Sequence, residues 1–213
     1  MKQQDSFPKN AIVIDVDFIN KYLPMLKEHL SKSLNAKLRD MDLAYLCVQM
    51  GLMMGLKEED REEFYVVVVS DNDKARMANT IPNDVADIVD KGCDVGNWSL
   101  YFINFNSAGM VTRPERVFEV VDMLISAKGF EKIFLVPEES VVGPQNVQLY
   151  LDLAKNHLGA ANVESKSFYM GGLQDATRFC HFKSLSYFNL TFAFELSLGM
   201  TDEQIEQMRN VGN

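Results

Sequence analysis

Three stretches of this chain share one pattern: a continuous apolar run that ends in acidic residues. Ala11-Ile12-Val13-Ile14 leads into Asp15-Val16-Asp17, Val66-Val67-Val68-Val69 into Ser70-Asp71, and Ile133-Phe134-Leu135-Val136-Pro137 into Glu138-Glu139. Unbroken β-branched runs predict strands buried on both faces, with their polar ends at the sheet's carboxyl edge. Between them the apolar residues recur at helical spacing. Tyr22, Leu23, Leu26 and Leu30 form one stripe, and Leu43, Leu46, Met50 and Met53 another that stops at Gly55. Val117, Val120, Val121 and Leu124 follow a Pro114 start, and Val147 to Leu158 close at Gly159. Trp98–Phe105 and Val163–Met170 read as further strands, Asp73–Asn79 and Asp84–Lys91 as short helices, and Gly92 and Gly96 as a turn.

The segment 182–199 fits two periods. Phe188, Leu190, Phe192 and Phe194 alternate as in a strand, whereas Leu185, Phe188, Phe192 and Leu196 form a helical stripe. The following Leu198-Gly199-Met200-Thr201 with Gln204 reads as a helix stop and then a capping box, which favours helix. Strands alternating with helices predict a three-layer α/β/α sandwich, with a mostly parallel sheet of about five strands, the usual size, and extra C-terminal helices. Val13, Val67, Phe102 and Phe134 are its expected core. With no Pro/Ser/Gly-rich linker, 1–213 reads as one domain with a flexible N-terminus over 1–10 and a helical extension over 182–213.

Composition narrows the function classes. The chain has 213 residues, 21 Lys plus Arg against 30 Asp plus Glu, and a net charge of −9. Such a surface repels phosphate backbones and anionic lipid unless a local basic patch or a bridging metal intervenes. No apolar run is long enough to span a membrane, and residues 1–10 lack the apolar core of a signal peptide. A cytoplasmic location is expected, with Cys47, Cys93 and Cys180 reduced and no membrane partner. His29, His157 and His181 stand apart without metal-ligand spacing, and neither a dinucleotide fingerprint nor a P-loop is present.

In an open parallel sheet, ligands bind beyond the carboxyl ends of the strands, where the strand order reverses. The acidic endings therefore carry the candidate chemistry. Asp15, Asp17, Ser70, Asp71 and Asp73 are the candidate catalytic residues, with Asp15, Asp71 and Asp73 as ligands of a hard divalent ion such as Mg²⁺ or Mn²⁺. Against this stands a plainer reading, in which each Asp caps a strand end or a helix N-terminus. For Asp15 and Asp71 together the two readings weigh about equally.

Ala11-Ile12-Val13-Ile14-Asp15-Val16-Asp17-Phe18-Ile19-Asn20 resembles the opening strand of NYN and PIN-like nuclease domains, and Val66 to Asp73 is similar to their later Ser-and-acid strand end. The resemblance covers about twenty residues and departs from the family in its Ser-Asp-Asn-Asp spacing and in Lys74, where an aromatic is usual. It implies metal-dependent cleavage of RNA, with Asp15, Asp71 and Asp73 as ligands and Asp17 or Asn20 assisting. The same acids also resemble the haloacid dehalogenase superfamily. There Asp15 would be the nucleophile, Asp17 the acid/base and Ser70 a phosphate donor, with Lys128 or Lys132 and Glu138-Glu139 completing the site and Phe18-Ile19-Asn20 departing from the pattern. An RNA or a small phosphoester is the implied substrate. A non-catalytic binding or assembly module, including a homo-oligomer, is the alternative.

Overall fold

A computed structural model describes residues 8–72, 74–106, 111–173 and 182–211. In chain order the elements are β1 Asn10–Asp15, α1 Val16–Leu34, β2 Met41–Asp42, α2 Leu43–Met53, β3 Glu62–Ser70, β4 Thr80–Ile81, β5 Lys91–Val95 and β6 Trp98–Asn106. They continue with α3 Arg113–Ser126, β7 Lys132–Val136, α4 Pro144–Ala154, α5 Ala160–Glu164, β8 Ser167–Gly172, β9 Leu185–Asn189, α6 Thr191–Ser197 and α7 Asp202–Val211.

Among the described residues the main sheet has seven strands in the order β5-β6-β3-β1-β7-β8-β9. All pairs are parallel except the β5–β6 hairpin at one edge. Numbered along the chain, the six parallel strands run 3-2-1-4-5-6, the doubly wound order of Rossmann-like sheets. Alternation along the central strands makes two cores. Ile12, Ile14, Val66, Val68, Phe134 and Val136 face the layer that contains Phe18, Leu46, Phe194 and Ile205 of α1, α2, α6 and α7. Ala11, Val13, Val67, Val69, Ile133 and Leu135 face Val117, Val147, Leu151 and Val163 of α3, α4 and α5. The expected core residues Val13, Val67, Phe102 and Phe134 are all buried. Among the described residues no helix is long and apolar enough to cross a membrane.

Local chemistry explains most boundaries. Asp42 caps α2 through the Tyr45 amide, and Gly55 at φ 76° turns the chain after it. The Thr201 and Gln204 side chains bond reciprocally to each other's backbone amides, the capping box predicted at the start of α7.

The sheet is larger than the five strands expected, for two reasons. Of the helix expected over Asp84–Lys91 only a short 3₁₀ turn at Val85–Asp87 forms. Lys91–Val95, where the sequence predicts a turn bracketed by Gly92 and Gly96, is a strand, because Gly96 at φ 61° allows a two-residue turn back into β6. The segment 182–199 divides between its two periods: Leu185–Asn189 pairs with β8, and only Thr191–Ser197 is helical. The helical extension expected over 182–213 thus begins with a strand of the main sheet. Asn10, placed by the sequence reading in the flexible N-terminus, is buried in β1, while residues 1–7 of that expectation lie outside the described residues. The helix expected over 73–79 is not formed by Lys74–Asn79. Arg76 instead bridges to Asp84 and Thr80 enters β4.

Candidate functional site at the carboxyl edge of the sheet

β1 is the strand from which the order runs both ways, so its carboxyl end lies at the switch point between β3 and β7. Asp15 ends β1 and is 2% exposed. With no loop between strand and helix, Asp15 is also the N-cap of α1: its Oδ1 accepts from the Asp17 amide at 2.9 Å. Its Oδ2 lies 3.4 Å from the Glu138 amide, just beyond β7. Asp17 occupies the first turn of α1, and Asp71 follows the last residue of β3.

A cation joins these three acids. Arg113, the first residue of α3, pairs with Asp15 through Nη1, with Asp17 through Nε at 3.1 Å and with Asp71 through Nη2 at 2.7 Å. Its fork of donors suits such multiple pairing, and its side chain is only 14% exposed. Beside it, Glu138 accepts from Lys21 at 2.7 Å, from the Tyr22 hydroxyl at 3.2 Å and from Ser140. The rim therefore combines four carboxylates, Asp15, Asp17, Asp71 and Glu138, with two cations, Arg113 and Lys21.

The titration behaviour follows from this balance. Burial pushes the Asp15 pKa above the usual carboxylate range even though Arg113 opposes the rise. Asp17 also rises, through burial and through repulsion from Asp71 and Glu138 that Arg113 only partly offsets. Burial would raise Glu138 as well, but its bonds from Lys21 and Ser140 outweigh that and hold it low.

The structure thus brings Asp15, Asp17 and Asp71 together, while Asp73 lies outside the described residues. Ser70 is buried and spent elsewhere: its hydroxyl is 2.8 Å from Asn104 Oδ1 and 3.0 Å from the Asn72 carbonyl, tying β3 to β6. Asn20 does not join the acids. Its Nδ2 donates to the Arg76 carbonyl and its Oδ1 accepts from the Ala78 amide, in place of a strand partner for that loop. Asn20→Ala should therefore cost about 1 kcal/mol in chemical denaturation, without disturbing the rim.

Neither lysine of the dehalogenase-like reading reaches the rim. Lys128 lies in the turn after α3, and Lys132, at the start of β7, donates to the Met54 carbonyl at the opposite edge. Glu139 turns away from Glu138 and accepts from the Tyr187 hydroxyl at 2.8 Å, over Gly172, where a Cβ would collide with it.

The donor set is all carboxylate, the chemistry of a hard divalent ion. However, the oxygens of Asp15, Asp17 and Asp71 are gathered on a guanidinium, and those of Glu138 on Lys21, Tyr22 and Ser140. Among the described residues no group of three His, Cys, Asp or Glu side chains is arranged to hold a metal.

Arg113 and Lys21 were missed from sequence. Arg113 was legible only as the residue before a helix-starting proline, and Lys21 only through its i,i+4 spacing from Asp17.

Residues 4–192 match one protein-family model, described as a family of unknown function (DUF6621). No curated protein and no solved structure matches the chain.

Proposed function

Because the chain belongs to DUF6621, whose description assigns no activity, we propose from the geometry of the rim that the protein is a non-catalytic cytoplasmic binding or assembly module built on a doubly wound sheet. One observation carries this reading: Arg113 engages Asp15, Asp17 and Asp71 at once, while Asp15 is also committed to capping α1. Acids held in this way serve as internal cross-links between β1, β3 and α3. With four carboxylates against two cations, the rim's formal surplus of two negative charges favours a partner that presents cationic groups over one that presents phosphates.

A second reading keeps metal-dependent phosphoester hydrolysis of the NYN/PIN-like kind. It is favoured by the gathering of Asp15, Asp17 and Asp71 at one rim, where burial first and like-charge repulsion second raise both Asp15 and Asp17 despite Arg113.

Mg²⁺ and Mn²⁺ titrations followed by thermal unfolding separate the two, since a ligand specific to the native state raises the midpoint. The module reading expects no saturable rise at millimolar metal. A saturable rise that Asp15→Asn abolishes, together with cleavage of a phosphodiester by the wild type, would overturn it.

A further inference from the structure

At the other end of the sheet, where β8 and β9 begin, a recess of about 510 Å³ is lined by Lys155, Lys166 and Lys183 and by the hydroxyls of Ser167, Ser184 and Ser186. This is unusual for a chain of net charge −9. Glu164, in the same wall, accounts for one of the lysines through its pair with Lys155 at 3.3 Å. The other two form no ion pair among the described residues.

Lys166 is half-buried, and its ammonium is held by two neutral carbonyls, Ala127 at 3.0 Å and Phe130 at 2.7 Å. An ammonium has three N–H donors, so one remains. The wall beside it is fixed, because Gln148 donates to the Ser184 hydroxyl at 3.3 Å and accepts from the Ser184 amide at 3.2 Å. A positioned, partly desolvated ammonium that feels Glu131 only at longer range and forms no ion pair among the described residues, a second ammonium and several hydroxyls match the oxygens of a compact dianion.

We propose that this recess binds the phosphate group of a small phosphorylated ligand, independently of the carboxyl-edge rim. Burial lowers the Lys166 pKa, Glu131 only partly opposing it, and an anion bound in the recess would raise it again.

The test is an amide chemical-shift titration of the whole chain at constant ionic strength, with inorganic phosphate in one arm and adenosine 5′-monophosphate in the other. Saturable shifts at Lys166, Ser167 and Ser184–Ser186 are expected. Tighter binding of the monoester would identify a phosphoester as the ligand, and equal binding would identify free phosphate. Lys183→Gln, at an exposed position, should weaken binding about tenfold, the equivalent of one charge-assisted contact. Lys166→Met should do the same, but it also frees two carbonyls and could fail to fold, so Lys183→Gln carries the decision. Absence of saturable shifts there with both probes, or binding unchanged by Lys183→Gln, overturns the proposal.

Discussion

Replacing Arg113 with alanine is expected to lower the unfolding free energy by about 3–5 kcal/mol at neutral pH, the cost of leaving a buried charge without its partner. The charge in question is Asp15, nearly sealed between β1, α1 and the β7 end. Asp17 and Asp71 contribute little to the loss, because both reach solvent once the guanidinium is gone.

The pH dependence gives the prediction its sign. A carboxyl whose pKa is higher in the folded than in the unfolded state binds more protons when folded, so stability falls as pH rises from the unfolded value through the folded one. Asp15 is already raised by burial, with Arg113 the largest opposing influence. Arg113→Ala must raise it further, so the variant's deficit should be greatest above the new pKa and shrink on acidification towards 3.8. Asp15→Asn in the same background should recover much of the loss at neutral pH, since the amide removes the buried charge. Denaturant unfolding at several pH values measures all of this. A deficit that is independent of pH and unrelieved by Asp15→Asn would show that Arg113 acts through packing alone.

Gly51→Ala is expected to destabilise by about 2–3 kcal/mol, against the gain of roughly 1 kcal/mol that the same change brings to an unconstrained helix. Gly51 lies in the last turns of α2, where the helix meets the indole of Trp98 at the start of β6. A Cβ there would overlap the ring edge, reaching Cη2 at 2.8 Å and Phe64 Cζ at 3.0 Å. The indole has no room to retreat. It is 2% exposed, its ring centroid is 5.3 Å from that of Phe64, and its Nε1 donates to the Lys57 carbonyl at 3.3 Å. Trp98→Phe, which makes space on the helix side, should therefore be less harmful in the Gly51→Ala background than alone. Additive losses in this double-mutant cycle would place the damage elsewhere.

The sequence by itself determined the layer architecture, the central strands and most helices. Val66–Val69 and Ile133–Val136 are apolar at every position, a pattern that satisfies a strand covered on both sides, and the stripes of α1 and α3 repeat at the helical period. These are local signals, carried by residues close together in the chain. Edge strands are less legible. Leu185–Asn189 is covered only in part and borders a helix whose period overlaps its own, while Lys91–Val95 depends on a glycine turn and on β6 to pair with.

The acids of the rim were legible for the same local reason, since each ends an apolar run. What gathers round them was left to the tertiary structure. Strand order placed Asp15 beside the ends of β3 and β7, and α3 brought Arg113 in from 98 residues away along the chain. A carboxylate reads identically in sequence whether its counter-charge is a metal ion or a guanidinium. Only the packing of β1, β3, β7 and α3 selects the arginine, because burying Asp15 demands a cation within reach and Arg113 is the one the fold delivers.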